Sequence, residues 1–396
     1  MIKILHLITN LFVFRVHAIF EDDDEFEHYF IYPKYQPEIS ITFMKSGHQI
    51  LNGKPKNHLV IDMKKINMAE IKKFIDKNDL HVVFLSNINP VPLIQNYLLT
   101  NKRFKIYFIN HGIMNQNALN TVIKLNKVNK HPIWKNLHHI FITETEKRAW
   151  FRNPRYKSRT TILPGLTQID LMKTIDYNYY KTLIFNHLDE DGFLTNKMNI
   201  RKDIPKSILF VNNKNSTYSK PKRGVETEKI FKFLDSYCEK NNYHLFPKLK
   251  HSAPWGVKFN KDPKEISYFK KKHITPVLYN EQNFDVPLYY FLFCDAIVIQ
   301  NYGTSLIEAL MIKPQVIRCQ ILKKDNQALM DKYPNLLQSH SLKSLEEHLD
   351  LIFSDQYPTP ESEIDRANYL EMYLGSGYEN KRSSDIILEK IKEQQS

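Results

Sequence analysis

Phe284-Asp-Val-Pro-Leu-Tyr-Tyr-Phe-Leu-Phe-Cys-Asp-Ala-Ile-Val-Ile-Gln-Asn-Tyr-Gly-Thr-Ser-Leu-Ile-Glu-Ala-Leu-Met-Ile-Lys-Pro-Gln-Val-Ile-Arg318 is the stretch that decides how the rest of the chain is read. It reads as helix, strand, tight turn, helix and strand. Ala296 to Ile299 is a short apolar run of the buried-strand type, and Gln315 to Arg318 reads as the next strand. Between them Gly303-Thr304-Ser305 opens an apolar-periodic helix. Gly303 supplies the backbone freedom that the turn needs, and Thr304 or Ser305 offers a hydroxyl to the free N–H groups of the helix start. Glu308 is expected in about the first turn, where a carboxylate suits the helix dipole. Such a helix start, at the carboxyl end of a parallel strand, is a ready anion site. The same local pattern also serves a well-capped helix in any α/β domain.

Outward from this stretch, strands and helices alternate. Before it, His28–Tyr32, Leu59–Asp62, His81–Leu85, Lys105–Asn110, His139–Thr143 and Thr161–Leu163 read as strands, with helical patterns at Met68–Asp76, Pro92–Leu99, Ala118–Lys127 and Glu144–Phe151. A polar, tyrosine-rich segment, Tyr177–Asp203, is the best linker candidate. A second alternation follows, with strands Ser207–Val211, His244–Pro247 and Ile274–Leu278 leading into the opening stretch. The last 55 or so residues read as helices only, Leu342–Phe353, Glu361–Leu374 and Ser383–Lys392. This β/α alternation predicts an α/β fold of two Rossmann-like parallel-sheet domains. Residues 1–175 form the first, 176–355 the second, and 356–396 a helical tail expected to pack back on the first.

The start of the chain has two readings. Lys3 ahead of an apolar run and Val16-His17-Ala18 mimic a signal peptide weakly, but His6, Asn10 and Arg15 interrupt the run. The better reading is a strand over Ile4–Ile8, a turn at Thr9-Asn10, and a helix running into the acidic run Glu21–Glu27.

Composition narrows the function classes. The chain has 396 residues, 42% of them hydrophobic and 25% charged, so it can bury a core and is not disordered throughout. Its formal charge of +13 fits a nucleic acid, an anionic membrane face or a phosphorylated substrate as partner. The basic residues are dispersed, and no zinc, helix-turn-helix or RNP signature accompanies them, which argues against nucleic acid. Cys238, Cys294 and Cys319 show neither paired nor metal-type spacing, so reduced cytoplasmic thiols are the default. No segment approaches the ~18 uninterrupted apolar residues of a membrane span. Peripheral attachment to the inner, anionic face of a membrane is the expectation that the charge then leaves.

Asp285-Val286 leading to Cys294-Asp295, a strand, Gly-Thr-Ser-x-x-x-Glu and then Lys313-Pro314 before another strand together resemble the donor-site segment of GT-B transferases. The resemblance is closest to the CDP-glycerol glycerophosphotransferase family of teichoic-acid-type primases and polymerases. It covers about residues 104–320 and is weak over the first hundred. It implies that Thr304 and Ser305, after Gly303, hold the donor's phosphates and that Glu308 binds its ribose. Asn110-His111-Gly112, directly after a predicted strand, is similar to the family's His-Gly element, so His111 inherits the role of general base toward an acceptor hydroxyl. The alternative is a turn histidine bonded to backbone. Phe246-Pro247-Lys248-Leu249-Lys250-His251-Ser252 resembles the family's basic-x-His-Pro element, with Ser252 in place of proline. Lys248, Lys250 and His251 are then expected to steady a departing diphosphate.

Val211-Asn212-Asn213-Lys214-Asn215-Ser216-Thr217 stands where the family carries a Pro-Thr-x-Arg motif. Lys214 or Arg223 substitutes there in charge but without the guanidinium's bidentate fork. Leu163-Pro164-Gly165-Leu166-Thr167-Gln168-Ile169-Asp170 is similar to a family turn at the domain junction and reads as architecture. The lysine that commonly follows the His-Gly is missing, the chain reading Ile113-Met114-Asn115. The implied activity is transfer of a glycosyl or polyol-phosphate group from a nucleotide-activated donor to a lipid-linked or oligosaccharide acceptor, across a cleft that the four elements line. It needs no metal and no cofactor, since no Asp-x-Asp pair follows a strand. A catalytically inactive GT-B scaffold, or a basic nucleic-acid binder, are the non-enzymatic readings.

Overall fold

A computed structural model of the chain describes residues 1–8, 20, 24–33, 42–45, 49–52, 57–62, 65–85, 92–109, 137–143, 146–148, 161–162, 170, 206–212, 221–248, 271–275, 291, 294–300, 304–321, 330–375, 378 and 382–395. The chain divides into two compact units, residues 1–175 with 371–396, and residues 176–370.

The first unit opens with β1 (Ile2–Leu7) and β2 (Phe26–Pro33), and a separate antiparallel hairpin follows, β3 (Thr42–Lys45) and β4 (Gln49–Asn52). Then come β5 (Asn57–Ile61), α1 (Met68–Lys77), β6 (Val82–Leu85), α2 (Pro92–Thr100), β7 (Lys105–Ile109), β8 (Leu137–Ile140) and β9 (Thr161–Ile162). Apart from the hairpin the strands form one sheet in the order β5-β2-β1-β6-β7-β8-β9, and all its pairings are parallel. The central strands β6 and, after Lys105, β7 are apolar and buried on both faces, as a sheet covered on both sides requires. Leu5, Leu7, Tyr29, Ile31, Val83, Leu85, Ile106 and Phe108 pack with Ile71 and Ile75 of α1 and Ile94 and Leu98 of α2. Each such side chain stabilises by about 1.5–3 kcal/mol when fully buried. The alternate residues occupy the other face. There His6 Nε2 lies 2.8 Å from His28 Nδ1, both buried, with the rings of Phe20, Phe30 and Phe84 around His6.

Local chemistry sets the element ends. Asn67 starts α1 by accepting from the N–H groups of Ala69 and Glu70 at 3.2 and 3.3 Å. The strand expected over His139–Thr143 runs instead from Leu137 to Ile140. Thr143 Oγ1 accepts from Glu146 N–H at 3.0 Å, while Glu146 Oε2 accepts from Ile142 N–H at 3.0 Å. This reciprocal capping arrangement turns the chain into a helical turn and ends the strand early.

In the second unit β10 (Ser207–Asn212) leads to α3 (Pro221–Asn241), β11 (His244–Lys248), β12 (Ala296–Gln300), α4 (Thr304–Ile312), β13 (Val316–Cys319), a 3₁₀ turn at Met330–Lys332, β14 (Gln338–Ser339) and α5 (Leu342–Phe353). The sheet order is β11-β10-β12-β13-β14, again parallel throughout. Ile208, Phe210, Val298, Ile317 and Cys319 face α3 and α5, where Ile230, Phe231, Leu234, Leu345 and Leu349 cover them. α4 lies against β12 and β13 with Leu306, Ile307 and Leu310 buried. Of the expected strand Ile274–Leu278, Ile274 bridges Leu245 in parallel, and residues 276–278 lie outside the described residues. Arg223, offered above as a substitute in charge for the family arginine, stands in the first turn of α3. The expected helix Ala118–Lys127 and linker Tyr177–Asp203 also lie outside the described residues.

α6 (Pro360–Leu374) carries the chain from the second unit back to the first, which α7 (Ser383–Glu393) completes. The residue before α7, Arg382, gives it no side-chain cap. The cap comes from Asp170, whose buried carboxylate accepts from the N–H groups of Ser383 and Ser384 at 2.8 and 2.7 Å and from Ser384 Oγ at 2.7 Å. At the other end Lys105 Nζ donates to the Gln394 carbonyl at 2.7 Å. Negative charge at the amino end and positive charge at the carboxyl end both match the helix dipole. Asp170, the last residue of the segment that the sequence marks as architectural, is thus the clasp of α7, and residues 163–169 lie outside the described residues.

Candidate functional site

The second sheet reverses its winding between β10 and β12. From β10 the chain crosses outward to β11, and from β12 it runs the other way to β13 and β14. In an open parallel sheet the crevice at the carboxyl ends of the two strands flanking such a reversal is where ligands bind. The flanking strands end at Asn212 and Gln300, which are register partners. α4 starts four residues after Gln300, at Thr304, and it presents its amino end at this edge.

Thr304 is the first residue of α4 and Ser305, half-buried, the second. They lie inside the helix rather than ahead of it. Glu308 is not in the first turn. It sits in the second, only 2% exposed, because the helix begins at Thr304 and its apolar stripe carries position 308 inward. Lys248 is the last residue of β11, half-buried, and paired in register with Val211. The carboxyl edge of one sheet therefore carries Lys248, at the end of β11, and the Thr304-Ser305 helix start after β12, with β10 between them and Glu308 one turn further on in α4. Gly303, Lys214, Lys250, His251 and His111 lie outside the described residues. His111 follows β7 of the first unit by two positions.

Two pieces of the donor-like segment have another task. Asp295 accepts from Ser207 N–H at 2.7 Å and from its hydroxyl at 3.2 Å, joining the starts of β10 and β12. The Lys313 ammonium donates to the Cys294 carbonyl. Burial holds the Lys313 pKa below its usual value. Both residues work at the amino edge of the sheet, opposite the crevice, and serve as scaffold.

A polar cluster at the crevice edge went unremarked in the sequence. The Asn212 amide Nδ2 donates to Thr227 Oγ1 at 3.4 Å, and the Thr227 hydroxyl donates to Gln300 Oε1 at 2.7 Å. Beside Thr227, Glu226 Oε1 accepts from Ile321 N–H at 2.6 Å. Further along the edge, Arg318 donates to Gln338 Oε1 at 3.0 Å and Gln320 Oε1 at 2.8 Å. One signal was available: Asn212 and Gln300 are polar residues that follow the apolar runs Ile208–Val211 and Ala296–Ile299 and end their strands.

Other chemistry is placed elsewhere. The three cysteines are buried; burial pushes the Cys238 thiol up to about 12 and raises those of Cys294 and Cys319 as well. None is a nucleophile at neutral pH. Among the described residues, Asp235, Glu239 and His273 have the composition of a metal site. Lys271 donates to both Asp235 oxygens at 2.9 Å and to Glu239 at 3.2 Å, and His273 Nε2 lies 2.8 Å from Asp235. The ammonium already supplies a cation to this group, which sits on the last turns of α3, away from the crevice.

No protein-family model matches the chain, and no curated protein matches it in sequence. Solved structures do match, over nearly the whole length. A candidate UDP-N-acetylglucosamine 2-epimerase from Listeria monocytogenes matches with a TM-score of 0.61 at 15% identity, over 99% of this chain and 96% of that one. The UDP-GlcNAc 2-epimerase of Neisseria meningitidis, bound to UDP-GlcNAc, gives 0.57 at 12% identity, over 99% and 100%. UGT71G1 of Medicago truncatula, complexed with UDP-glucose, gives 0.54 at 9% identity, over 99% and 98%. At such identities the likeness is one of fold, and with the two parallel sheets described above it gives this chain the two-domain α/β architecture of the GT-B class.

Proposed function

We propose that the chain acts on a nucleotide-activated sugar, as a transferase of the glycosyl-transfer type. The observation that carries this reading is the winding reversal between β10 and β12, with the amino end of α4 and Lys248 on the same edge. Free N–H groups at a helix start and a nearby ammonium suit a diphosphate. Support comes from the fold, since structures of similar architecture hold UDP-GlcNAc and UDP-glucose. In this reading Gly303, Thr304 and Ser305 receive the donor's phosphates, and Lys214, Lys250 and His251 neutralise the leaving group. Glu308 stands behind the helix start. Transfer of a polyol phosphate, as the family resemblance implies, is the finer version.

A thermal-shift panel of UDP-, GDP- and dTDP-sugars with CDP-glycerol and CDP-ribitol tests both versions. A donor at a hundred times its dissociation constant stabilises by about 2.7 kcal/mol. The midpoint should then rise by about 5 °C or more. Ser305→Ala should shrink the shift produced by the preferred donor. A panel with no shift at all would remove the reading, and a shift by CDP-glycerol alone would select the polyol-phosphate version.

His111 is the proposed general base. His111→Ala should lower turnover about a hundredfold or more while donor affinity stays within twofold. Unchanged turnover would reduce His111 to a turn residue. A second reading, epimerisation of the bound sugar, is favoured by the similarity to 2-epimerase structures. Product analysis separates the two. An epimerase converts UDP-GlcNAc with no acceptor present, whereas a transferase releases its nucleotide in proportion to acceptor.

A further inference from the structure

Three strand exits at the crevice are held by two adjacent residues of one helix. α3 resumes the chain at Pro221 after residues 213–220, and its second turn carries Glu226 and Thr227. The Thr227 hydroxyl bridges the last residues of β10 and β12, accepting from Asn212 and donating to Gln300. Glu226 holds the N–H of Ile321, two residues past the end of β13. All four side chains are buried: Asn212 is 3% exposed, Glu226 4%, and Thr227 and Gln300 1% each.

Stability gives no reason for this arrangement. A satisfied buried hydrogen bond contributes only about 0.5–1.5 kcal/mol net, and an apolar trio of the same shape would serve the core equally well. Hydrogen bonds add direction, which apolar contacts lack. One hydroxyl has one proton to give, here donated to Gln300 Oε1, and one of its two lone pairs accepts from Asn212 Nδ2. The two amides are thereby fixed in orientation, one on each side of the winding reversal. Each closes its strand at the crevice edge, Asn212 as the last residue of β10 and Gln300 as the last of β12, four residues ahead of α4.

We infer that Thr227 is a positioning residue for the crevice, setting the start of α4 and the exit of β10 in the geometry that a nucleotide diphosphate needs. This rests on the donor-site reading given above. Thr227 touches neither donor nor reacting atoms in this scheme and acts through Asn212 and Gln300. Glu226 extends the same hold to the exit of β13.

The test uses the full chain and two variants. Thr227→Val keeps the shape and removes the hydroxyl, whereas Thr227→Ser keeps the hydroxyl. Amide hydrogen exchange is read at Asn212, at Gln300 and at the first helix-bonded amides of α4, Glu308–Leu310, with the centre of β12 as internal reference. Thr227→Val should lose about tenfold in protection at the strand exits and the α4 start, with the reference unchanged, and Thr227→Ser should behave as wild type. Calorimetric titration with UDP should show about tenfold weaker binding to Thr227→Val and wild-type affinity for Thr227→Ser. Equal protection in all three proteins overturns the positioning role. Altered protection with unaltered UDP affinity overturns its link to the ligand. Failure of the wild type to bind UDP or any other panel nucleotide would instead overturn the donor-site reading, and the exchange data would still decide whether Thr227 orders these exits.

Discussion

At pH 4.5 the protein should be about 5 kcal/mol less stable than at pH 7, divided roughly equally between its two units. Two histidines carry this expectation. His139, in β8, is fully buried, stacked on Phe141 with ring centroids 4.0 Å apart, and burial lowers its pKa to about 3. His244, at the start of β11, is 3% exposed, lies 2.9 Å from Thr275 Oγ1, and is lowered to about 4 by burial and then by the neighbouring His273. In the unfolded chain both titrate near 6.5. Above that value neither state binds the proton and there is no pH dependence. Below it the unfolded state takes up protons that the folded state refuses, so stability falls as pH drops from about 6.5 toward 4 and 3. The slope is about 1.4 kcal/mol per pH unit for each group, which gives about 2–3 kcal/mol each by pH 4.5. Urea unfolding at the two pH values measures the loss, and His139→Phe, among the rings of Phe108 and Phe141, should flatten the dependence in the first unit. A midpoint that does not move between pH 7 and 4.5, or a variant with the full slope, would contradict the assignment.

Replacing Asp170 by alanine should destabilise the first unit by about 3–5 kcal/mol. A cap contributes about 0.5–2 kcal/mol at an ordinary helix start. Here the carboxylate is 1% exposed and takes three hydrogen bonds from Ser383 and Ser384, so its removal strands buried donors that water cannot reach. Asp170→Asn, which keeps one acceptor oxygen, should lose about half as much. Amide exchange through α7 reads the effect locally: protection over 383–395 should collapse in Asp170→Ala while β10 and β12 stay protected. Undiminished protection in α7 would show that other contacts seat the helix.

Much of the fold was legible because parallel strands buried on both faces leave continuous apolar runs. Ile4–Ile8, Lys105–Asn110, Ser207–Val211 and Ala296–Ile299 each fall within a residue or two of the observed strand. The exceptions have local causes. The segment His139–Thr143 is apolar enough to continue as a strand, yet the Thr143–Glu146 capping pair closes it at Ile140. β14 is two residues long and exists only by pairing with β13 across about twenty residues, which no local pattern reveals. The hairpin of β3 and β4 was equally silent.

At the site, the helix start at Thr304 was legible from glycine and hydroxyl residues between two apolar runs. The depth of Glu308 was not, because one residue of uncertainty in a helix start rotates each later side chain by about 100°. The Asn212–Thr227–Gln300 chain was invisible for a different reason. Its members come from three separate elements, and only the winding of the sheet makes them neighbours.

The route of the chain has a consequence for biosynthesis. The first unit is written in two instalments, residues 1–175 and 371–396, with the whole second unit between them. At about 5–20 residues per second, its early part waits some tens of seconds for α7 to leave the ribosome. Through that interval the Asp170 carboxylate and Lys105 have no helix to clasp, and Ile387 and Ile391 have yet to cover their share of the core. The second unit, contiguous in sequence, can close its sheet first. The order of completion is therefore the reverse of the order of initiation, and α7 acts as the latch on a domain begun well before it.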